Sequence, residues 1–181
     1  MNTLENLNLR DTTTTFELRR GGQVVPLWNP NKLGRIIGLR IPGVTGAWRD
    51  ALTIHNTITN VGHAAANARI SGQGAYNPFV NIALGTGTQA TPATSTALAA
   101  EITTLGGGRA AATASQVTTT VTNDTTSLSK VFTFTGALAI TEEGIFDSAS
   151  ASSGNMFAYQ SFAVINVVNA DTLTVTHKYQ S

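Results

Sequence analysis

The sequence predicts a mainly β protein: an antiparallel β-sandwich, jelly-roll-like, with an extended N-terminal arm ahead of it and one short helix. Three observations predict this class. Threonine is abundant and clustered, with unbroken runs at residues 12–15 and 118–120, and a β-branched side chain that is stiff at χ1 suits the pleated surface of a strand better than a helix. Near the C-terminal end Leu173, Val175, His177 and Tyr179 alternate with Thr172, Thr174, Thr176 and Lys178. A period of two with one polar face is the pattern of an antiparallel strand with one side in water. Further runs of this kind follow one another after Gly106-Gly107-Gly108, separated by turn residues, and strands at that spacing build a sandwich or a barrel.

Residues 1–49 read as the arm. Thr15-Phe16-Glu17-Leu18-Arg19 and Gln23-Val24-Val25-Pro26-Leu27 flank Gly21-Gly22, and two short runs joined by glycines make a small hairpin. Pro26, with no N–H to give to a ladder, puts the second run at a sheet edge. Trp28-Asn29-Pro30-Asn31 reads as a turn, residues 35–41 as a short strand and Pro42-Gly43 as its stop. So many breakers leave the arm without a core of its own, and its apolar groups are expected to find burial on another subunit.

The sandwich domain is expected over residues 50–181. Its helix lies near residues 59–70, where Val61, Ala64, Ala65 and Ala68 recur at helical spacing ahead of Gly72. Alanine on both faces implies a thin helix pressed closely on its neighbour. Residues 79–84 then read as a strand ending at Gly85-Thr86-Gly87, followed by a polar loop to about Thr96. Val117, Thr119 and Val121 alternate before a turn at Asn123-Asp124-Thr125, and Leu128, Lys130, Phe132 and Phe134 alternate after it. Residues 137–140 lead to Glu142-Glu143-Gly144, read as a solvated turn, and residues 156–165 form an apolar-rich strand.

Composition narrows the function classes. Charged residues make up only 12% of the 181 and aromatics 7%, against a usual charged share of roughly 25%. The formal net charge is +1, which gives no field to gather a nucleic acid or a membrane surface. The charges are nevertheless unevenly placed. Between Arg10 and Arg49 the basic residues Arg10, Arg19, Arg20, Lys32, Arg35, Arg40 and Arg49 face only Asp11 and Glu17, whereas Glu101, Asp124, Glu142, Glu143, Asp147 and Asp171 outnumber Arg109, Lys130 and Lys178 beyond residue 100. A basic N-terminal part and an acidic C-terminal part could attract one another between subunits. There is no cysteine, which removes disulfides, thiolate nucleophiles and zinc-thiolate sites. The opening residues lack a charged start followed by an apolar run, and no apolar stretch approaches the roughly 20 residues that span a bilayer. The expectation is a protein made in a cytoplasm, with no membrane partner.

No constellation of catalytic type stands out. Gly85-Thr86-Gly87-Thr88-Gln89-Ala90 satisfies the letters of a dinucleotide loop, but Thr91-Pro92-Ala93 follows where the fingerprint needs a helix; the glycines read instead as a tight turn needing positive φ. His55, His63 and His177 are too scattered for metal ligands, and His177 falls on the apolar face of the last strand, the place of a satisfied core histidine. Adjacent strand residues point to opposite faces, so Glu142 and Glu143 are not placed to share a substrate. Asp147-Ser148 has no histidine at a motif spacing. The reading is of a protein that is not an enzyme and takes no cofactor or metal. Trp28 and Trp48, in the basic arm, are the candidate partner-binding residues together with Arg19, Arg20, Arg35 and Arg49, because Trp and Arg dominate interface hot spots.

Four ordered elements carry a resemblance. They are Asn56-Thr57-Ile58-Thr59-Asn60-Val61-Gly62; Ile82-Ala83-Leu84-Gly85-Thr86-Gly87-Thr88 with residues 93–98 and Glu101; Ile140-Thr141-Glu142-Glu143-Gly144-Ile145-Phe146; and residues 162–167 with 171–176. In order and spacing, over residues 55–181, this set resembles a family of tailed-bacteriophage virion structural proteins. The resemblance implies a non-enzymatic capsid decoration or cement protein that assembles as a homo-oligomer, a trimer, and binds the major capsid protein or other virion proteins on the particle. Its alternatives are a tail, collar or fibre component, or a module that binds host surface glycan through Tyr76, Tyr159 and the tryptophans.

Overall fold

The computed structural model describes residues 10–36, 39–90 and 92–180, with the backbone alone at Arg10, Asp11 and within 31–45. The chain forms β1 (Arg10–Arg20), β2 (Gln23–Val25), β3 (Leu27–Ile36), β4 (Leu39–Arg49), β5 (Leu52–His55), β6 (Thr57–Ile58), α1 (Asn60–Ser71) and β7 (Asn81–Gly85). After a short 3-10 turn come β8 (Ala110–Ala111), β9 (Thr113–Val117), β10 (Thr125–Thr133), β11 (Leu138–Phe146), β12 (Met156–Val167) and β13 (Thr172–Gln180). One sheet has the order β2-β1-β13-β10-β9, with β5 also paired to β1; the second has the order β6-β12-β11-β7-β8; among the described residues β3 and β4 pair only with each other. Every ladder is antiparallel. This is the antiparallel sandwich that the alternating pattern predicts.

One folded ribbon joins the two sheets. β10 pairs with β13 in the first sheet and β11 with β12 in the second. Between them the two connections stay zipped, with the Phe134 N–H donating to Asp171 O at 2.9 Å and the Ala170 N–H to Phe134 O at 2.8 Å. The ribbon thus bends over the core without separating. Its inward residues, among them Leu128, Phe132, Ile140, Ile145, Ile165 and Leu173, merge into one buried cluster. On β13 the in-and-out alternation is complete, with Leu173, Val175 and His177 fully buried.

The first strand departs from the expected arm. Phe16 and Leu18 are 0% and 1% exposed and belong to the main core, and β1 sits inside the sheet between β13 on one side and β2 and β5 on the other. The boundary at residue 49 therefore does not set off a coreless segment. The breakers from Pro30 to Gly43 that suggested one belong to a single long hairpin, β3–β4. Trp28-Asn29-Pro30-Asn31 is strand and not a turn, and β4 runs through Pro42-Gly43. Proline is tolerated there because each strand of a lone hairpin has an edge with no ladder partner.

The expected helix is present, capped by the Thr59 hydroxyl, which accepts from the Gly62 N–H at 2.9 Å, and ended by Gly72 in the left-handed conformation. A Cβ at Gly62 would lie 2.2 Å from Phe157 O, so the glycine that weakens helix propensity is what lets the helix lie against β12. β9 stops at Val117, short of the expected Val121, because the Asp124 carboxylate gathers the N–H groups of Thr119, Thr120 and Val121 at 2.8, 2.8 and 3.0 Å. Those three backbone bonds hold its pKa well below the usual carboxylate range.

Candidate interaction site

The hairpin β3–β4 leaves the sandwich between β2 and β5, both of which lie on the same edge of β1. At its base Trp28 pairs directly opposite Trp48, with ring centroids 5.6 Å apart and an interplanar angle of 61°, an edge-to-face contact. The two rings are not equivalent. Trp28 lies in a notch made by Gly46, which adopts φ +111 and where a Cβ would come within 2.2 Å of the Trp28 ring. Trp48 stands on the outside, 65% exposed. Arg49 is exposed and pairs across the ladder with Leu27, which is buried in the core. The hairpin is thus rooted by Leu27 and presents Trp48 and Arg49 at its foot.

Two of the arginines expected at a partner interface are already engaged. Arg20 donates from Nε to Asp171 Oδ1 at 2.9 Å and from Nη2 to Oδ2 at 2.8 Å, a fork-on-carboxylate pair. That contact lowers the Asp171 pKa and raises that of Arg20. Arg19 donates to Glu17 at 2.7 Å and to Gly22 O at 3.2 Å. Both pairings fall within the chain, and both arginine side chains remain half-exposed beside them. The Arg35 side chain lies outside the described residues. Tyr159, a proposed sugar platform, is fully buried and cannot serve as one.

The acidic residues of the second half are likewise spent inside the fold. Glu142 and Glu143 are not a solvated turn; both are 0% exposed within β11. They face opposite ways, as strand geometry requires. Glu142 points outward beneath loop 86–100 and accepts from the N–H groups of Gly87 (3.1 Å), Ala99 (3.1 Å) and Ala100 (2.8 Å) and from the Tyr159 hydroxyl (3.1 Å). Burial, with the Glu142 charge adding to it, pushes the Tyr159 pKa up to about 12. Gly85 and Gly87 are not positive-φ turn residues. A Cβ at either would fall 2.4 or 2.9 Å from Glu142 Oε1, so they are glycines to make room for the carboxylate.

Glu143 points into the sandwich. Its Oε1 lies 3.2 Å from His177 Nδ1, the same nitrogen that lies 2.9 Å from Thr14 Oγ1, while Asn56 Nδ2 is 2.7 Å from His177 Nε2. A Thr–His–Glu proton relay needs hydroxyl and carboxylate on opposite ring nitrogens. Here they share one, and His177 is fully buried, so the group cements β1, β11 and β13 rather than meeting a substrate. Tyr179 beside it has its pKa raised by burial and by the Glu143 charge. Arg109 completes the inventory. It forks onto Glu101 at 2.8 Å through Nε and Nη2 and lies 3.6 Å above the Phe146 ring, tying loop 147–153 down through Ser148 O and Ser153 O. Sequence reading missed the roles of Glu142 and Arg109; the one available signal is the paired glycines at 85 and 87, small residues beside a strand that carries a carboxylate. Among the described residues no three His, Asp or Glu side chains group as a metal site.

No protein-family model matches the chain, and no curated protein or solved structure matches it.

Proposed function

We propose that the chain is a structural component of a tailed-phage particle, a capsid decoration or cement protein that acts by binding and not by catalysis. The observation that carries this reading is the hairpin β3–β4. Among the described residues it pairs with no strand of either sheet; it exposes Trp48 at its foot, and over residues 27–49 contains Lys32, Arg35, Arg40 and Arg49 with no acidic residue. A lone two-stranded hairpin is marginal in water, which favours a fold in which a neighbouring surface covers it. The resemblance of residues 55–181 to virion structural proteins supplies the setting; the capsid shell and other virion proteins are the partners it implies.

The test is attachment to particles that lack the protein. Wild type is expected to bind at a fixed stoichiometry on the shell. Trp48→Ala should weaken binding by about 30-fold, the effect of losing a hot spot of about 2 kcal/mol, and Arg49→Ala by only a few-fold. Absence of any particle binding, or attachment of Trp48→Ala at wild-type strength, overturns the reading. Density on the tail alone would move the protein to a tail or collar role.

A further inference from the structure

One strand leaves its sheet and opens a cleft at the foot of the hairpin. β5 pairs with β1 in the first sheet, and after Asn56 the same extended chain continues as β6, paired with β12 in the second. The β6–β12 register matches Ile58 with Ala158 and Thr57 with Tyr159; continued, it would set His55 against Ser161 and Thr53 against Ala163. The chain follows the first sheet instead. A cleft of about 370 Å³ opens between residues 52–55 on one wall and residues 160–163 on the other, with Asn29 and Pro30 of β3 beside it. Its apolar side is made by Leu52 and Ile54, both buried, and by Phe162, whose ring centroid lies 4.4 Å from that of Phe16. His55, Gln160 and Ser161 supply polar groups, and no lysine, arginine or carboxylate is among the lining residues.

The same foot carries a large apolar group without cover. Of the exposed large hydrophobic residues among those described, Trp48 is the only aromatic. The hairpin holds it away from the cleft of its own chain. Directly opposed residues of an antiparallel pair share a face, so Trp48 lies with Trp28 on one face of the hairpin. Successive residues of a strand point to opposite faces, so Leu27 and Asn29 lie on the other, where Leu27 is buried in the core and Asn29 lines the cleft. Anchor and cleft are therefore fixed on opposite faces of one hairpin foot, joined by the short connection at residues 50–51 between β4 and β5.

We propose that the cleft receives Trp48 from a second copy of the chain. This rests on the reading that Trp48 is the hairpin's contact, and deepens it by naming the surface that covers the ring. The two sides match in chemistry. An indole is apolar except for one donor, its N–H. The cleft offers an apolar side and Gln160, whose amide nitrogen is spent on Ser161 O at 2.7 Å, leaving the amide oxygen to accept. Neither the indole nor the lining brings a charge that would have to be stripped of water. The volume falls within the roughly 300–1,000 Å³ of pockets that hold small ligands, and a buried aromatic side chain removes about 150–250 Å² from water. Aromatic anchors seated in such pockets dominate the energy of many interfaces. Because anchor and cleft are different surfaces, the contact runs head to tail, and head-to-tail contacts form rings where their rotation closes. The trimer implied by the resemblance is the smallest ring of this kind.

Complementation between two full-length variants tests it. Trp48→Ala removes the anchor and Ala163→Phe fills the cleft, and thermal melting at low concentration checks that each is folded. Gln160→Arg, which sets a charge in the cleft, replaces Ala163→Phe if that variant does not fold. Wild type is expected to self-associate in sedimentation, and each variant alone should associate about 30-fold more weakly, the effect of losing one hot spot. Mixed together, the two variants should pair one to one, because the filled copy still carries Trp48 and the Trp48→Ala copy still has an open cleft. A monomeric wild type, association of Trp48→Ala at wild-type strength, or a mixture no more associated than its components overturns the proposal. Because no particle is involved, association without particle binding refutes the decoration reading alone, and Trp48-dependent particle binding by a protein that stays monomeric refutes this one alone.

Discussion

The sandwich and the hairpin treat charge in opposite ways. In the sandwich Glu101, Glu142, Glu143, Asp147 and Asp171 are each bonded inside the fold, and four of these five are at least nine-tenths buried. Over the hairpin there are four basic residues and no acid at all. The asymmetry between the two halves of the sequence is therefore not carried over to the surface, because Glu142, Glu143, Asp147 and Asp171 are buried. Charge that a sequence displays is available for binding only where the fold has not already consumed it.

The comparison breaks most easily at Glu142. Glu142→Ala removes the acceptor of three backbone N–H groups and a phenol, and leaving such groups unpaired costs about 1–3 kcal/mol each where water cannot reach them. The expected loss is on the order of 4 kcal/mol in urea denaturation; a loss below about 1 kcal/mol would mean that loop 86–100 simply rehydrates. Gly87→Ala probes the same spot from the loop side. Its Cβ would fall 2.6 Å from Ala99 Cβ and 2.9 Å from Glu142 Oε1, and overpacking of that kind costs about 1–3 kcal/mol.

In the hairpin the order reverses between stability and binding. Trp28→Ala empties the notch at Gly46 and should lower thermal stability measurably. Trp48→Ala changes an exposed ring and should leave stability within about 0.5 kcal/mol while binding falls. Equal effects of the two on stability would mean that Trp48 is held as firmly as Trp28.

A pH series sharpens the contrast further. Asp171 has a depressed pKa in the folded state, chiefly through the Arg20 hydrogen bonds. Its contribution is present above the unfolded carboxylate value near 4 and disappears as pH falls through the lower folded value. Arg20→Ala should therefore be less stable than wild type at pH 7, with the gap closing as the pH drops below about 4. A gap independent of pH would show that Arg20 acts by packing alone. The smallest effect is expected for Arg19→Ala, whose exposed pair with Glu17 contributes no more than about 0.5 kcal/mol.

The sandwich was legible from alternation because each strand with one wet face writes that face into its sequence, as β13 does residue by residue. The helix was legible from the spacing of Val61, Ala64, Ala65 and Ala68 and from the Gly72 that ends it. β11 was not, because its alternation changes phase: Ile140 faces the core, Thr141 and Glu142 both face loop 86–100, and Glu143 faces the core again. Two adjacent glutamates before a glycine look like a turn unless their partners are known, and those partners lie 17 to 55 residues away for Glu142 and 34 and 129 for Glu143. The arm was misread for the converse reason. Phe16 and Leu18 carry a strand signal as clear as any, but the prolines and glycines that follow belong to a hairpin that stands apart. At the candidate interface the tryptophans were legible as residue types; which of them is free depends on Gly46, which only the fold brings beneath Trp28.

β13 occupies the middle of its sheet, flanked by β1 from the start of the described chain and β10 from beyond its midpoint. Of the described strands it is also the last to leave the ribosome. A nascent chain lacking it holds β1 and β10 as two separated half-sheets, with Phe16, Leu18, Leu128 and Phe132 deprived of the layer that buries them. Contacts between such distant parts of a chain form slowly, so the first sheet closes only once β13 has joined β1 to β10. Loss of β13 would therefore leave the first sheet split at its centre, whereas loss of β9, which pairs only with β10 among the described strands, would trim its edge.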